Sequence, residues 1–156
     1  MIRKTAIPRA GEGKRGPEGH LGYLVRQANV AVRAAMERAL ADLDATPAQF
    51  AVLTMIVAYP GLSGADLARL TFLTPQTINV IVRNLVRGGA IEKTAHAVHG
   101  RVLRLTATAK GQALLKRCRT RVMEVEDKLG ELVSGDEEKI VRRWLGAVGE
   151  KLAEGR

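Results

Sequence analysis

The strongest constraint in this chain is the order of patterns between Ser63 and Lys110. A short helical pattern (Ala65, Leu67, Ala68, Leu70) meets a break at Thr74-Pro75. A second follows with apolar residues at Ile78, Ile81, Val82, Leu85 and Val86. That i, i+3, i+4, i+7, i+8 spacing predicts one buried stripe. The opposite face carries Gln76, Asn79, Val80, Arg83 and Arg87. Gly88-Gly89 stops the helix, and the segments 90–94 and 102–106 alternate as two antiparallel strands with a polar tip at 96–100. Two short helices, the second with a polar and basic outer face, followed by a β-hairpin, read as a winged helix-turn-helix. Such a module places one helix in the DNA major groove.

The charge distribution supports this reading. Of the net charge of +9, residues 1–16 carry five cations and one acid, net +4, and residues 63–110 carry seven cations and two acids, net +5; the remainder is neutral. Charge concentrated on the reader and on a loose arm suits a phosphate backbone. Aromatic residues make up only 3% of the chain, so the core is aliphatic and a single-strand stacking platform is disfavoured.

Outside the reader, Pro17 is expected to open a first helix that keeps helical spacing from Leu21 to Leu43. Thr46-Pro47 starts a second, with Phe50, Leu53, Ile56 and Val57 inward. A fifth spans about 108–133, with Ala113, Leu114, Cys118, Val122, Val125, Leu129 and Leu132 inward. A sixth begins at Asp136-Glu137-Glu138 and has a stripe including Ile140, Val141, Trp144, Leu145, Val148 and Leu152. The first, fifth and sixth helices have no evident partner inside a three-helix reader. Packing on each other and on a second copy accounts for them, and a two-fold dimer would present two readers to two half-sites. The expected class is mainly α: a winged helix-turn-helix with a two-stranded wing and a helical dimerisation region. The expected division is a disordered basic arm at 1–16, dimerisation helices at 17–45 and 107–156, and a reader at 46–106.

The order and spacing of these motifs resemble the MarR (multiple antibiotic resistance regulator) family of bacterial winged-helix transcription factors. The segments carrying the resemblance start at Thr46 (TPAQFAVL), Ser63 (SGADLA), Thr74 (TPQTINVIVRNL), Gly89 (GAIE) and His99 (HGRVLRLTATAKG), and it covers about 18–152. It implies a homodimer, double-stranded pseudo-palindromic operators as the target, and release of DNA by a small aromatic or hydrophobic acid in a cleft between dimer helices and reader. The family wing commonly carries Asp-x-Arg; here the triplet is His99-Gly100-Arg101, so the arginine lacks its acidic neighbour.

The expected DNA-contacting residues are Thr74, Pro75, Gln76, Thr77, Asn79, Val80, Arg83, His99 and Arg101. Gln and Asn offer bidentate contacts to adenine, Arg83 reaches guanine or a phosphate, and Val80 either meets a thymine methyl or is an incidental exposed aliphatic. Arg101 is the wing residue for minor groove or phosphate. His96 and His99 lack the further ligands of a closed metal site, so a solvated tip is preferred. Cys118 falls on an apolar stripe and is expected to be an inert buried thiol, and a lone cysteine fits a reducing cytosol; the resemblance implies a bacterial, nucleoid-associated protein of the cytoplasm. The expected ligand cleft is lined by Leu24, Ala28, Leu53 and Val57, with His20 or Arg26 at its mouth. No phosphate loop, metal-ligand spacing or nucleophile signature is present, so no catalysis, metal or cofactor is expected. No apolar run approaches the ~20 residues of a membrane span, and no apolar segment follows the basic N-terminus as a secretory signal requires. A non-specific architectural DNA binder and a winged-helix protein adaptor stay open as alternatives.

Overall fold

The computed structural model describes residues 16–95 and 103–153. Six helices and one hairpin follow in the order α1 (Leu21–Leu40), α2 (Pro47–Ala58), α3 (Gly64–Thr71), α4 (Pro75–Arg87), β1 (Ile91–Ala95), β2 (Leu103–Ala107), α5 (Ala109–Gly130) and α6 (Gly135–Ala153). The mainly helical class with a two-stranded wing is as the sequence predicts. The strands pair antiparallel with Lys93 opposite Leu105.

Helix starts follow local chemistry. Thr46 accepts from the Gln49 amide at 3.2 Å while Gln49 Oε1 accepts from the Thr46 amide at 2.9 Å, a reciprocal cap. Pro47 and Pro75 sit in first turns, where a missing N–H costs nothing. Pro17 and Glu18, by contrast, form a separate 3₁₀ turn, and α1 starts only at Leu21.

The principal core joins Val52, Leu53 and Ile56 of α2, Leu67 of α3, four residues of α4, Ile91, Leu105 and Leu115. A second, smaller cluster joins Leu40 and Leu43 to Cys118 and Val122 of α5, so α1 and α5 are bound side by side. Several expected faces need correction. Val86 closes the predicted stripe of α4 but is 37% exposed. α5 ends at Gly130, so Leu132 falls in the turn beyond it and is exposed; on the helix Ala113 is exposed, while Leu115 and Gly111 are buried. Phe50 and Val57 are only half-buried, and Val52 is buried instead. α2 is apolar nearly all round, so periodicity gave no means of choosing its inner face. Of the apolar residues expected inward between Leu21 and Leu43 (Leu21, Leu24, Val25, Ala28, Val32, Ala35, Met36, Ala39, Leu40 and Leu43), only Leu40, at the end of α1, and Leu43, in the 3₁₀ turn beyond it, are buried. On α6, Ile140, Val141, Trp144, Leu145 and Leu152 also stay exposed, Trp144 at 38%, and Val148 is half-buried. No single helix among the described residues is long and apolar enough to cross a membrane.

Candidate nucleic-acid interface

α3 and α4 form the helix-turn-helix. Ser63 caps α3: its Oγ accepts from the Asp66 amide at 3.2 Å, and Asp66 Oδ2 accepts from the Ser63 amide at 3.1 Å and hydroxyl at 2.7 Å. These donors hold the Asp66 carboxyl below its ordinary pKa, with the Ser63 hydroxyl the largest cause and Arg69 a lesser one. Phe72 takes a left-handed conformation, φ 55°, and turns the chain out of α3. Thr74 then caps α4 through the Thr77 amide at 3.2 Å, and the two hydroxyls meet at 2.8 Å. The Thr77 hydroxyl is therefore committed to the cap as well as lying on the outer face.

Ile78, Ile81, Val82 and Leu85 anchor α4 in the core. Thr74, Pro75, Gln76, Thr77, Asn79, Val80 and Arg83 are all exposed on its N-terminal half and outer side. Val80 is 53% exposed, an aliphatic set among polar neighbours. Arg83 makes no hydrogen bond or ion pair with the described residues, whereas Arg87 Nη2 donates to Asn84 Oδ1 at 2.8 Å. At about 1.5 Å per residue, α4 is ~20 Å long and of a width that a ~12 Å major groove admits.

The wing is braced by a feature the sequence did not disclose. Gly61 and Leu62 add a third backbone segment beside β2: the Gly61 amide donates to Leu105 O and the Leu105 amide to Leu62 O, both at 3.1 Å. A single bridge with no alternating run leaves no periodic signal. At the other end, Thr108 Oγ1 donates to Gly89 O at 2.6 Å and the Thr108 amide to Ala90 O at 3.0 Å. These bonds lock the start of α5 onto the end of the reader. His96, His99 and Arg101 lie outside the described residues.

The expected ligand residues lie apart from the two cavities described below. Leu53 is 1% exposed and sealed in the core by α2 packing. Leu24 and Val57 are half-buried, and His20, Arg26 and Ala28 exposed. None of the six lines either of two open cavities. One, of about 450 Å³, lies between α1 and α5 and is lined by residues such as Val32, Ala35 and Leu129. The other, of about 750 Å³, lies between the α1–α2 connection, the end of α4 and the start of α5. Its cations Lys110 and Arg117 were not singled out as site residues, although their seven-residue spacing places them on one helix face. Cys118 is buried, and desolvation pushes its thiol pKa up, opposite to the shift that activates a thiolate.

A family model described as MarR family matches residues 43–102. The chain is 34% identical over 129 residues to the HTH-type transcriptional repressor Rv2887 of Mycobacterium tuberculosis, covering 83% of this chain and 93% of that protein. Structures of Rv2887 in complex with salicylic acid and with DNA both align at TM-score 0.68, with 33% and 32% identity; each spans 85% of this chain, and 98% and 99% of theirs. The transcriptional repressor CouR bound to a 23-mer DNA duplex aligns at TM-score 0.80 with 26% identity, over 92% of this chain and 99% of that one.

Proposed function

Since this chain belongs to the MarR family, we propose that it is a homodimeric, sequence-specific DNA-binding regulator of transcription. It acts as a repressor that a small aromatic or hydrophobic acid releases from a pseudo-palindromic operator. The observation that carries this reading is α4: its inner face is fixed in the core while Gln76, Asn79, Val80 and Arg83 stand exposed along the other. A rigid element with an uncommitted polar and basic face is what base readout needs. The likeness to proteins solved on DNA and with salicylic acid supports the partners. Its site of action is the cytoplasm, on nucleoid DNA.

In this proposal residues 46–106 are the reader, 17–45 and 107–156 supply the dimer frame, and 1–16 is a basic arm. Thr74, Pro75 and Thr77 set the entry of α4; Gln76, Asn79 and Val80 read base edges. Arg83, His99 and Arg101 hold the backbone. A bound acid releases DNA by favouring a spacing of the two readers that the operator does not fit.

Selection of bound duplexes from a random pool supplies the operator, and three variants then test the division of labour. Gln76→Ala and Asn79→Ala should each weaken the selected sequence by about 1–3 kcal/mol and random DNA far less. Arg101→Ala should weaken both and lower the steepness of the salt dependence by about one phosphate contact. Equal losses on both DNAs for all three variants would leave only non-specific binding.

A further inference from the structure

The reading helix ends in a joint that leaves it little freedom against α5. The amides of Gly88, Gly89 and Ala90 donate to Asn84 O, Val86 O and Leu85 O, each at 2.9 Å. The carbonyls of this same turn are held from the other side. Thr108 Oγ1 donates to Gly89 O at 2.6 Å, and the Thr108 amide donates to Ala90 O at 3.0 Å. The same Oγ1 accepts from the Gly111 amide at 3.1 Å and so caps α5. One oxygen atom thus ties the first turn of α5 to the turn that ends the reading helix. Gly111 closes the joint: a Cβ there would stand 2.0 Å from Ala90 O, so the two backbones touch directly.

Both sides of the joint are anchored. α4 is held by Ile78, Ile81, Val82 and Leu85, and α5 reaches the same core through Leu115. Further along α5, Cys118 and Val122 pack on Leu40 and Leu43. At 22 residues α5 is ~33 Å long. It carries the orientation of α4 out of the reader and into the helices assigned above to the dimer frame.

We propose that the joint of Thr108 and Gly111 makes the protein selective for the spacing of its operator half-sites. α4 and the first turns of α5 move as one piece, so the frame sets the separation and angle of the two reading helices. One added base pair moves a half-site by ~3.4 Å and turns it by about 35°. A rigid joint does not follow that change, whereas a loosened one lets each α4 re-aim. Thr108 acts through α4 and is a positioning residue. The proposal rests on the regulator reading above.

The test compares affinity for the selected operator with affinity for duplexes that have one base pair added or removed between its half-sites. The wild type should prefer the selected spacing by about tenfold or more. Thr108→Asp still caps the Gly111 amide but offers no hydrogen to Gly89 O. It should remain a folded dimer and narrow the preference by about three- to tenfold, the worth of one hydrogen bond. Thr108→Val loses cap and tether without adding a charge and should narrow it as well, which keeps the test decisive if the carboxylate prevents folding. Thr108→Ser keeps both bonds and should match the wild type. A purely structural role would weaken binding at every spacing by the same factor; that result in the variants overturns the proposal, as does a preference that neither variant changes. A wild type that binds the selected operator but tolerates altered spacing overturns it and leaves the regulator reading standing. A wild type for which no operator can be selected removes that reading, and this proposal with it.

Discussion

Gly111 has no room for a side chain. A Cβ there would lie 2.0 Å from Ala90 O and 2.9 Å from the carbonyl carbon, both backbone atoms. Alanine in a helix is otherwise favoured over glycine by about 1 kcal/mol. Forcing a methyl into backbone costs more, about 3 kcal/mol. Gly111→Ala should therefore destabilise the fold by roughly 2 kcal/mol net in urea denaturation; a variant as stable as wild type would mean that the approach of α5 to Ala90 is looser than described. Sequence shows the glycine but not its reason, because Ala90 is distant along the chain. Gln76, Asn79 and Arg83 differ: helical spacing alone places them outside, and they are there.

The third helix is short, so its cap carries a large share of its definition. Asp66 has a folded pKa below its unfolded value. Its contribution to stability is complete above the unfolded pKa, ordinarily 3.8, and fades as pH falls through the lower folded value. Asp66→Asn should lower the melting temperature at pH 7, and the gap to wild type should close on acidification below about pH 4. A gap that is constant from pH 7 to pH 3 would place the effect in something other than the charge. Ser63→Ala should cost about 1 kcal/mol. Glu137, accepting from the Ser134 amide at 2.8 Å, is shifted down for a like reason at the start of α6. Such caps are legible in sequence because donor and acceptor lie three residues apart. The bracing of the wing by Gly61 and Leu62 is not, since a two-residue bridge has no period.

Within one chain, α6 leaves Ile140, Val141, Trp144 and Leu145 exposed, and α1 leaves Leu21 and Val30 so. Apolar faces of this extent on long helices call for a partner surface. In a homodimer they would be covered by the second copy. Replacing Trp144 and Leu145 together with glutamate should shift sedimentation to the monomer and abolish tight operator binding, with the reader's own melting little changed. A wild type that is monomeric at micromolar concentration yet binds its operator tightly would remove this role for α6.

The sequence by itself determined the element order, the turn at Thr74-Pro75, the pairing of the two strands and the inner face of α4 as far as Leu85. Each depends on chemistry between residues close in the chain, or on a period that one amphipathic helix displays on its own. It did not determine the inner faces of α2 and α5. α2 is apolar all round, and on α5 a buried face is chosen by what packs against it: Ala90 on Gly111, the reader core on Leu115, Leu40 and Leu43 on Cys118 and Val122. The cavities belong to the same class. Leu53, expected at a pocket, fills the core, while Arg87 of α4 and Lys110 and Arg117 of α5 line one cavity. Convergence of side chains from separate helices is a property of packing angles, and no local pattern encodes it.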